Sequence, residues 1–351
     1  MLCDKRRFFK IVGVVAALTV IAVLIVILVP ILGDALGLEA RAVKRTAEQA
    51  HVAYLSEGGA ASEWMLYGEG GAWVALRNGK AESVYASREE ALQVILSKGE
   101  LSNMRAHGVS DGLYAVEPMK AVICFTFDDG NATDGDIYEM FKERGLVCSF
   151  ALNTSGSAKD RLAQYLPYQE EGFEILSHSV SHAAMDQLGK SSIWVENELK
   201  TSKQILEAAG FRIRSWVTPN STLHESYLDL LKQYYESGAT VYRGAWNEGG
   251  EFEDLKPYNV LTDDPCCLYR IGLEKTTRDR CKLAIDEAVA NQGLLSFYAH
   301  GFNRYATGIS REELADILDY VLRYAESGQC IVATVSDGVD YFYHSAPYAG
   351  N

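Results

Sequence analysis

The sequence predicts an α/β protein, a distorted (β/α) barrel of about seven parallel strands preceded by a membrane span and a small α+β region. Three observations carry this reading. From about Met119 onward, short apolar runs alternate with amphipathic stretches of helical period. Several of those stretches stop at a glycine, at Gly145, Gly172, Gly210 and Gly328. Strand followed by helix recurs about seven times over roughly 230 residues, and parallel strands need such crossovers.

Ile11 to Leu32 is almost uniformly apolar. At about 1.5 Å per residue it is long enough to cross a hydrocarbon layer of about 30 Å. A cleaved secretory signal has a shorter apolar core and a small-residue cleavage pattern, which is not evident here. Lys5, Arg6, Arg7 and Lys10 precede the span, whereas Arg41, Lys44 and Arg45 follow it. The first group orients the chain, so residues 1–33 read as a cytoplasmic tip and single-pass anchor in the cell membrane, with the remainder extracytoplasmic.

Residues 34–118 read as a stalk or small α+β region of no assigned chemistry. "LEARAVKRTAEQAHVAYL" (Leu38 to Leu55) has helical composition. Asn78-Gly79 between two β-rich runs predicts a hairpin. Ser87 with Glu90 three residues later predicts a helix start, and Gly99 its end.

Residues 119–351 form the candidate catalytic domain. The expected strands are "AVICFTF", "LVCSFAL", "FEILSHS", "RSWVTP", "ATVYRGA", "LLSFYAH" and "CIVATVS". Helices are expected over Ile193 to Ala209 and Arg311 to Ala325. Cys124 and Cys148 lie inside strand-like runs and read as small buried hydrophobes, while the pairing of any extracytoplasmic cysteines stays open. Across all 351 residues, Lys+Arg number 33 against Asp+Glu 47, a net charge of -14. With no large basic block, nucleic acid is not a partner.

In parallel α/β folds, chemistry gathers at the C-terminal ends of the strands. Asp128 and Asp129 stand where "AVICFTF" ends. Neighbouring strand side chains face opposite ways, so two adjacent acids can hold different jobs: one can bind a metal and the other move a proton. An ordinary Asp-rich turn is the plain alternative. A calcium loop fits poorly, because counting from Asp129 puts Asp134 where glycine belongs and Met140 where glutamate belongs. His178 closes another strand and His182 follows four residues later; if the chain turns into a helix there, both imidazoles share a face. Two histidines and an aspartate make a three-ligand site with a position open to water, as a hydrolytic metal needs. Zinc is the default, and cobalt or nickel can occupy such a set. His300 closes "LLSFYAH" and can serve as a general acid or base.

"TFDDG" (Thr126 to Gly130), "HSVSH" (His178 to His182) and the late strand ending in His300 resemble, in order and approximate spacing, the polysaccharide deacetylases of carbohydrate esterase family 4. The resemblance covers roughly Met119 to Tyr343. It implies Asp128 as catalytic base, Asp129, His178 and His182 as metal ligands, and His300 as general acid. The family's third motif, Arg-x-Pro-Tyr, is matched only by "VTPN", which keeps Pro219 but has Val217 in place of the arginine and Asn220 in place of the aromatic residue. Arg214 and Arg243 are candidates for the missing base-orienting arginine. Pro219, Asn220, Arg243 and Trp246 are candidate substrate-binding residues. The resemblance implies metal-dependent N-deacetylation of an N-acetylated polysaccharide such as a cell-wall glycan, releasing acetate. The alternatives are the same chemistry on a non-sugar amide or a glycan O-acetyl ester, or a catalytically weak glycan-binding protein.

Overall fold

The computed structural model describes residues 37, 39–98, 104–155, 159–185, 192–221, 223–242, 256–302 and 308–344. It divides into two compact units, Met1–Glu100 with Ala106–Glu117, and Leu101–Arg105 with Pro118–Asn351. The apolar stretch Ile11 to Leu32 lies outside the described residues, and among those described no helix is long and apolar enough to cross a membrane.

In the first unit, helix α1 (residues 39–56) precedes strands β1 (Trp64–Glu69), β2 (Ala72–Arg77) and β3 (Lys80–Tyr85). Helix α2 (Arg88–Lys98), β4 (Met104–Ser110) and β5 (Leu113–Pro118) follow. The strands form one sheet in the order β3-β2-β1-β5-β4. Asn78 and Gly79 both take positive φ, 49° and 77°, which gives the two-residue β2–β3 turn the twist that strands require. Ala47 from α1 packs with Met65, Val74, Leu76 and Leu113 from the sheet. At the start of α2, Ser87 Oγ accepts the Glu90 N–H at 3.1 Å.

The second unit begins with β6 (Ala121–Asp128), α3 (Asp134–Lys142), β7 (Ser149–Leu152), α4 (Leu166–Glu170), β8 (Glu174–Ser177) and α5 (Ser192–Ala208). It continues through β9 (Ser215–Val217), α6 (Leu228–Leu231), β10 (Ser237–Ala239), β11 (Val241–Tyr242) and β12 (Tyr269–Gly272). Helix α7 (Arg278–Ala290), β13 (Leu294–Ala299), α8 (Arg311–Glu326), β14 (Cys330–Ala333) and α9 (Val335–Val339) complete it. Strands β10 and β11 are two halves of one segment: the first pairs with β9 and the second with β12. The sheet thus runs from β6 through β7, β8, β9, this shared segment, β12 and β13 back to β6, with every pairing parallel. This is a near-closed seven-stranded barrel, as expected. Its distortion comes from β14, which takes the lower half of one β6 edge, Ala121 to Cys124, while β7 takes Thr126 to Asp128.

Strand identities differ from the expectation in one place that matters. Strand β12 is absent from the predicted set, because "YRIG" interrupts a four-residue strand with an arginine and shows no apolar run. The expected strand "CIVATVS" is the β14 insert rather than a full stave.

Strand pleating sorts side chains into two populations. Outward residues such as Ile123, Phe125, Phe127, Phe150, Trp216 and Phe297 form the core between the barrel and its helices. Inward residues form layers. The N-terminal end is polar: Ser149 Oγ donates to the Glu174 carboxylate, and Ser215 Oγ lies 2.6 Å from both Ser237 Oγ and Ser336 Oγ. The middle is small and apolar, with Cys124, Ala151, Leu176, Val217 and Ala239. The C-terminal end carries the charged residues. Cys124, Cys148, Cys266, Cys267, Cys281 and Cys330 are all free thiols.

Helix α9 packs against the interior side of β6. A Cβ built on Gly338 would lie 2.8 Å from Cys124 Sγ and 2.9 Å from Val122 Cγ1. Helix propensity alone favours Gly338→Ala by about 1 kcal/mol, but overpacking a dense core costs about 1–3 kcal/mol. The substitution is therefore expected to lower the urea midpoint, and a raised midpoint would show that the contact is looser than described.

Candidate active site

Two acids are brought to one place by a backbone departure from the strand. Asp128 ends β6 pointing inward with Val122, Cys124 and Thr126, while Asp129 leaves the strand with φ of 77°. Simple alternation would turn Asp129 away from the barrel mouth. The left-handed conformation brings its carboxylate back, a strain of the kind that gathers at functional sites. Below this turn, Asn131 Nδ2 donates to the Asp128 carbonyl at 2.7 Å, Arg161 donates to the Gly130 carbonyl, and Asn153 Nδ2 donates to the Asp129 carbonyl at 3.4 Å. Asp134 supports the loop by accepting from Asn131 N–H and Tyr165 O–H, and burial pushes its carboxyl up to about 7.

Asp129 Oδ1 faces His178 Nε2 at 3.3 Å and His182 Nε2 at 3.1 Å. The three ligand atoms lie within 4.8 Å of one another. His178 sits at the C-terminal end of β8, and its Nδ1 lies 2.7 Å from the Val217 carbonyl. A carbonyl only accepts, so Nδ1 carries a proton, and Nε2 is the atom turned toward Asp129. The histidines do not share a helix face as the four-residue spacing suggested. Residues 178–182 form a turn, with Ser179 and His182 at φ of 68° and 57°, and the ring centroids end 4.9 Å apart. One carboxylate oxygen and two imidazole nitrogens on a half-open rim fit a divalent metal of the zinc type. Burial opposes ionisation of Asp129, but the two imidazoles hold its carboxyl well below the usual range.

Asp128 has a different partner. Arg270 on β12 donates from Nη1 to both Asp128 carboxylate oxygens at 3.0 Å, and both side chains are almost wholly buried. Strand β13 lies between β6 and β12, and the guanidinium crosses it over the Tyr298 ring, 4.4 Å from the centroid. Gly272 leaves room for that ring, because a Cβ there would come within 3.0 Å of Tyr298 Oη. His300 follows β13. Glu274 fixes it by accepting its backbone N–H at 2.8 Å and holding Nδ1 at 2.9 Å. Burial disfavours the imidazolium, but the Glu274 hydrogen bond and the Asp128 charge outweigh it and raise the His300 pKa above its ordinary value.

Of the candidates for the missing arginine, Arg214 is corrected here. Arg214 adjoins the N-terminal end of β9, away from Asp128, and pairs with Glu236, Asp337 and Asp340. Arg243 and Trp246 lie outside the described residues. Pro219 is buried just past β9, and Asn220 is exposed with φ of 57°. Val217 occupies the arginine's motif position and packs in the barrel's middle layer. The contact it cannot make is made from β12. Arg270 and Glu274 were missed together, since both depend on recognising that strand. The available signal was "YRIGLE", a pair of charges four residues apart amid apolar residues.

The geometry defines a class: a candidate Asp-His-His metal site flanked by a fixed carboxylate and a fixed imidazole at the mouth of a parallel barrel. Residues 115–237 match the family model described as polysaccharide deacetylase, and the matched stretch holds Asp128, Asp129, His178 and His182. No curated protein matches the chain. Among solved structures, the chain is similar to the CE4 domain of a multidomain xylanase from the hindgut metagenome of Trinervitermes trinervoides. The identity is 16%, over 63% of this chain and 90% of that one, with a TM-score of 0.42. It is also similar to the peptidoglycan deacetylase PdaC from Bacillus subtilis (21% identity, 63% and 91% covered, TM-score 0.40). A family 4 carbohydrate esterase from Streptomyces lividans gives 13% identity, 61% and 92% covered, and a TM-score of 0.41.

Arg270→Met should strand a buried carboxylate and cost about 3–5 kcal/mol of folding stability. Adding Asp128→Asn removes the charge, so the double variant should recover a large share of that loss in a denaturant-unfolding cycle. Additive losses would mean the two side chains are not energetically coupled.

Proposed function

We propose that the chain is a metal-dependent hydrolase that removes N-acetyl groups from a polysaccharide, with cell-wall glycan as the substrate and acetate as a product. One observation carries the reading: a three-ligand set, a carboxylate fixed by arginine and an imidazole fixed by glutamate converge at one barrel end. Asp129, His178 and His182 would hold the metal, zinc by default. When bound, the metal supplies Lewis-acid activation of water and of the amide carbonyl. Asp128 takes the proton released as water attacks, and Arg270 keeps its carboxylate in one orientation for that transfer. His300 enters the reaction protonated and gives its proton to the departing sugar nitrogen, with Glu274 at Nδ1 fixing the ring so that Nε2 is the transferring atom.

The glycan-binder alternative draws on the arginine missing from the third motif. Arg270 removes that motive, and a binder has no use for a carboxylate and an imidazole each held by its own partner. Hydrolysis of a non-sugar amide or a glycan ester remains the rival within the same chemistry. Residues Ile11 to Leu32 are proposed to anchor the protein in the cell membrane with this domain outside. The support is the length and apolarity of that stretch together with the basic residues before it.

Acetate release from a panel of N-acetylated glycans is expected, abolished by a chelator and restored by zinc. Release only from O-acetyl esters would transfer the activity to the rival substrate class. The pH profile supplies a second test. His300 must be protonated, so turnover falls as pH rises through its raised pKa. Glu274→Gln removes the carboxylate that raises it, and the alkaline limb should move to lower pH. An unmoved limb would remove His300 from the role of acid.

A further inference from the structure

We propose that Glu198 is a positioning residue for the metal, setting the shape of the His178–His182 turn and thereby the affinity of the Asp129, His178, His182 set. This rests on the metal-site reading above. Glu198 lies in the middle of α5, on the helix face that buries Val195, Leu199, Ser202 and Leu206. A carboxylate on such a face needs partners, and all of its hydrogen bonds go to one place. Its Oε2 accepts the backbone N–H groups of Val180 and Ser181, each at 2.9 Å, and its Oε1 accepts the Ser181 hydroxyl at 2.8 Å. Those two N–H groups belong to the middle of the turn between the histidines, where neither helix nor strand supplies an acceptor.

The turn needs an external hold. Ser179 and His182 both adopt left-handed φ, which non-glycine residues disfavour. Ser179 Oγ accepts the His182 N–H at 2.9 Å, a local tie that joins only the ends of the turn. Glu198 is the charged acceptor, and charge-assisted bonds are roughly twice as strong as neutral ones. The two histidines depend on it unequally. His178 is buried at a strand end and fixed through Nδ1 by the Val217 carbonyl. His182, with its side chain 36% exposed, has its backbone placed by the turn. Losing Glu198 should therefore displace His182 and leave His178 in place, weakening a three-ligand set to a two-ligand one.

The test is zinc affinity of the full chain, measured by competition with a chromophoric chelator. Glu198→Gln keeps the volume but removes the charge and one of the two acceptor oxygens, so the backbone N–H pair and the Ser181 hydroxyl can no longer both donate to a carboxylate. It is expected to weaken zinc binding by about 10–100-fold, the usual consequence of losing an outer partner of a metal site. Glu196→Gln, on the same helix, removes the charge that faces the Tyr234 hydroxyl and should leave zinc affinity unchanged. Excess zinc should restore turnover in Glu198→Gln. If that variant does not fold, Ser181→Ala decides: Ser181 is exposed and loses one bond to Glu198, so a few-fold weakening is expected with unchanged thermal unfolding. Wild-type affinity in either folded variant overturns the inference, as does a loss of apo stability without loss of affinity. Absence of zinc binding in the wild type overturns the metal site itself along with this inference, which separates the two failures.

Discussion

The buried ion pair between Asp128 and Arg270 is the constraint on which the barrel mouth depends. A carboxylate this deeply removed from water is tolerable only with a countercharge and hydrogen bonds in good geometry. The pair satisfies that requirement and connects β6 to β12 across β13. Much of the local packing follows from it. Tyr298 must lie flat beneath the guanidinium, Gly272 must lack a Cβ, and β12 must reach the mouth. Glu274 then follows Arg270 closely enough to hold His300. Asp128 and His300 thus both take their positions from one short segment, Arg270 to Glu274.

The Asp129, His178 and His182 cluster obeys a different constraint, imposed by backbone conformation. A strand delivers alternate side chains to opposite faces, so adjacent acids cannot both serve one site while the strand continues. Positive φ at Asp129 resolves this, and positive φ at Ser179 and His182 does the same for the histidine turn. Each departure is held by side-chain hydrogen bonds to the backbone, from Asn131 and Asn153 on one loop and to Glu198 on the other. The interior is most polar at its two ends, and a small, mainly apolar layer between them separates the charged mouth from the serine and glutamate floor.

What the sequence made legible was whatever short-range pattern encodes. Parallel strands with helical crossovers, the Asn78-Gly79 hairpin, and Asp128, Asp129, His178, His182 and His300 at or near strand ends are all encoded within single short segments. What it hid depends on long-range pairing. Arg270 is separated from Asp128 by 142 positions, and its strand is too short and too polar to register as apolar periodicity. Arg214 was the natural candidate because it borders "SWVTP", but it lies at the N-terminal edge of that strand and is engaged by surface carboxylates. Glu198 was visible as a charge on the apolar stripe of its helix, a signal that pattern reading averages away. The conformation of the His178–His182 turn is not legible, because four-residue spacing fits a helix and a compact left-handed turn alike.

The central claim is that two adjacent acids perform different tasks, one fixing a metal and the other moving a proton. Metal content and turnover of Asp128→Asn and Asp129→Asn, measured side by side on the full chain, test it most directly. The account predicts that Asp128→Asn retains one zinc per chain and loses turnover by about 10²–10⁴, the contribution of a positioned proton-transfer group, whereas Asp129→Asn loses zinc and activity together. Equal zinc loss in both variants, or undiminished turnover in Asp128→Asn, would contradict it.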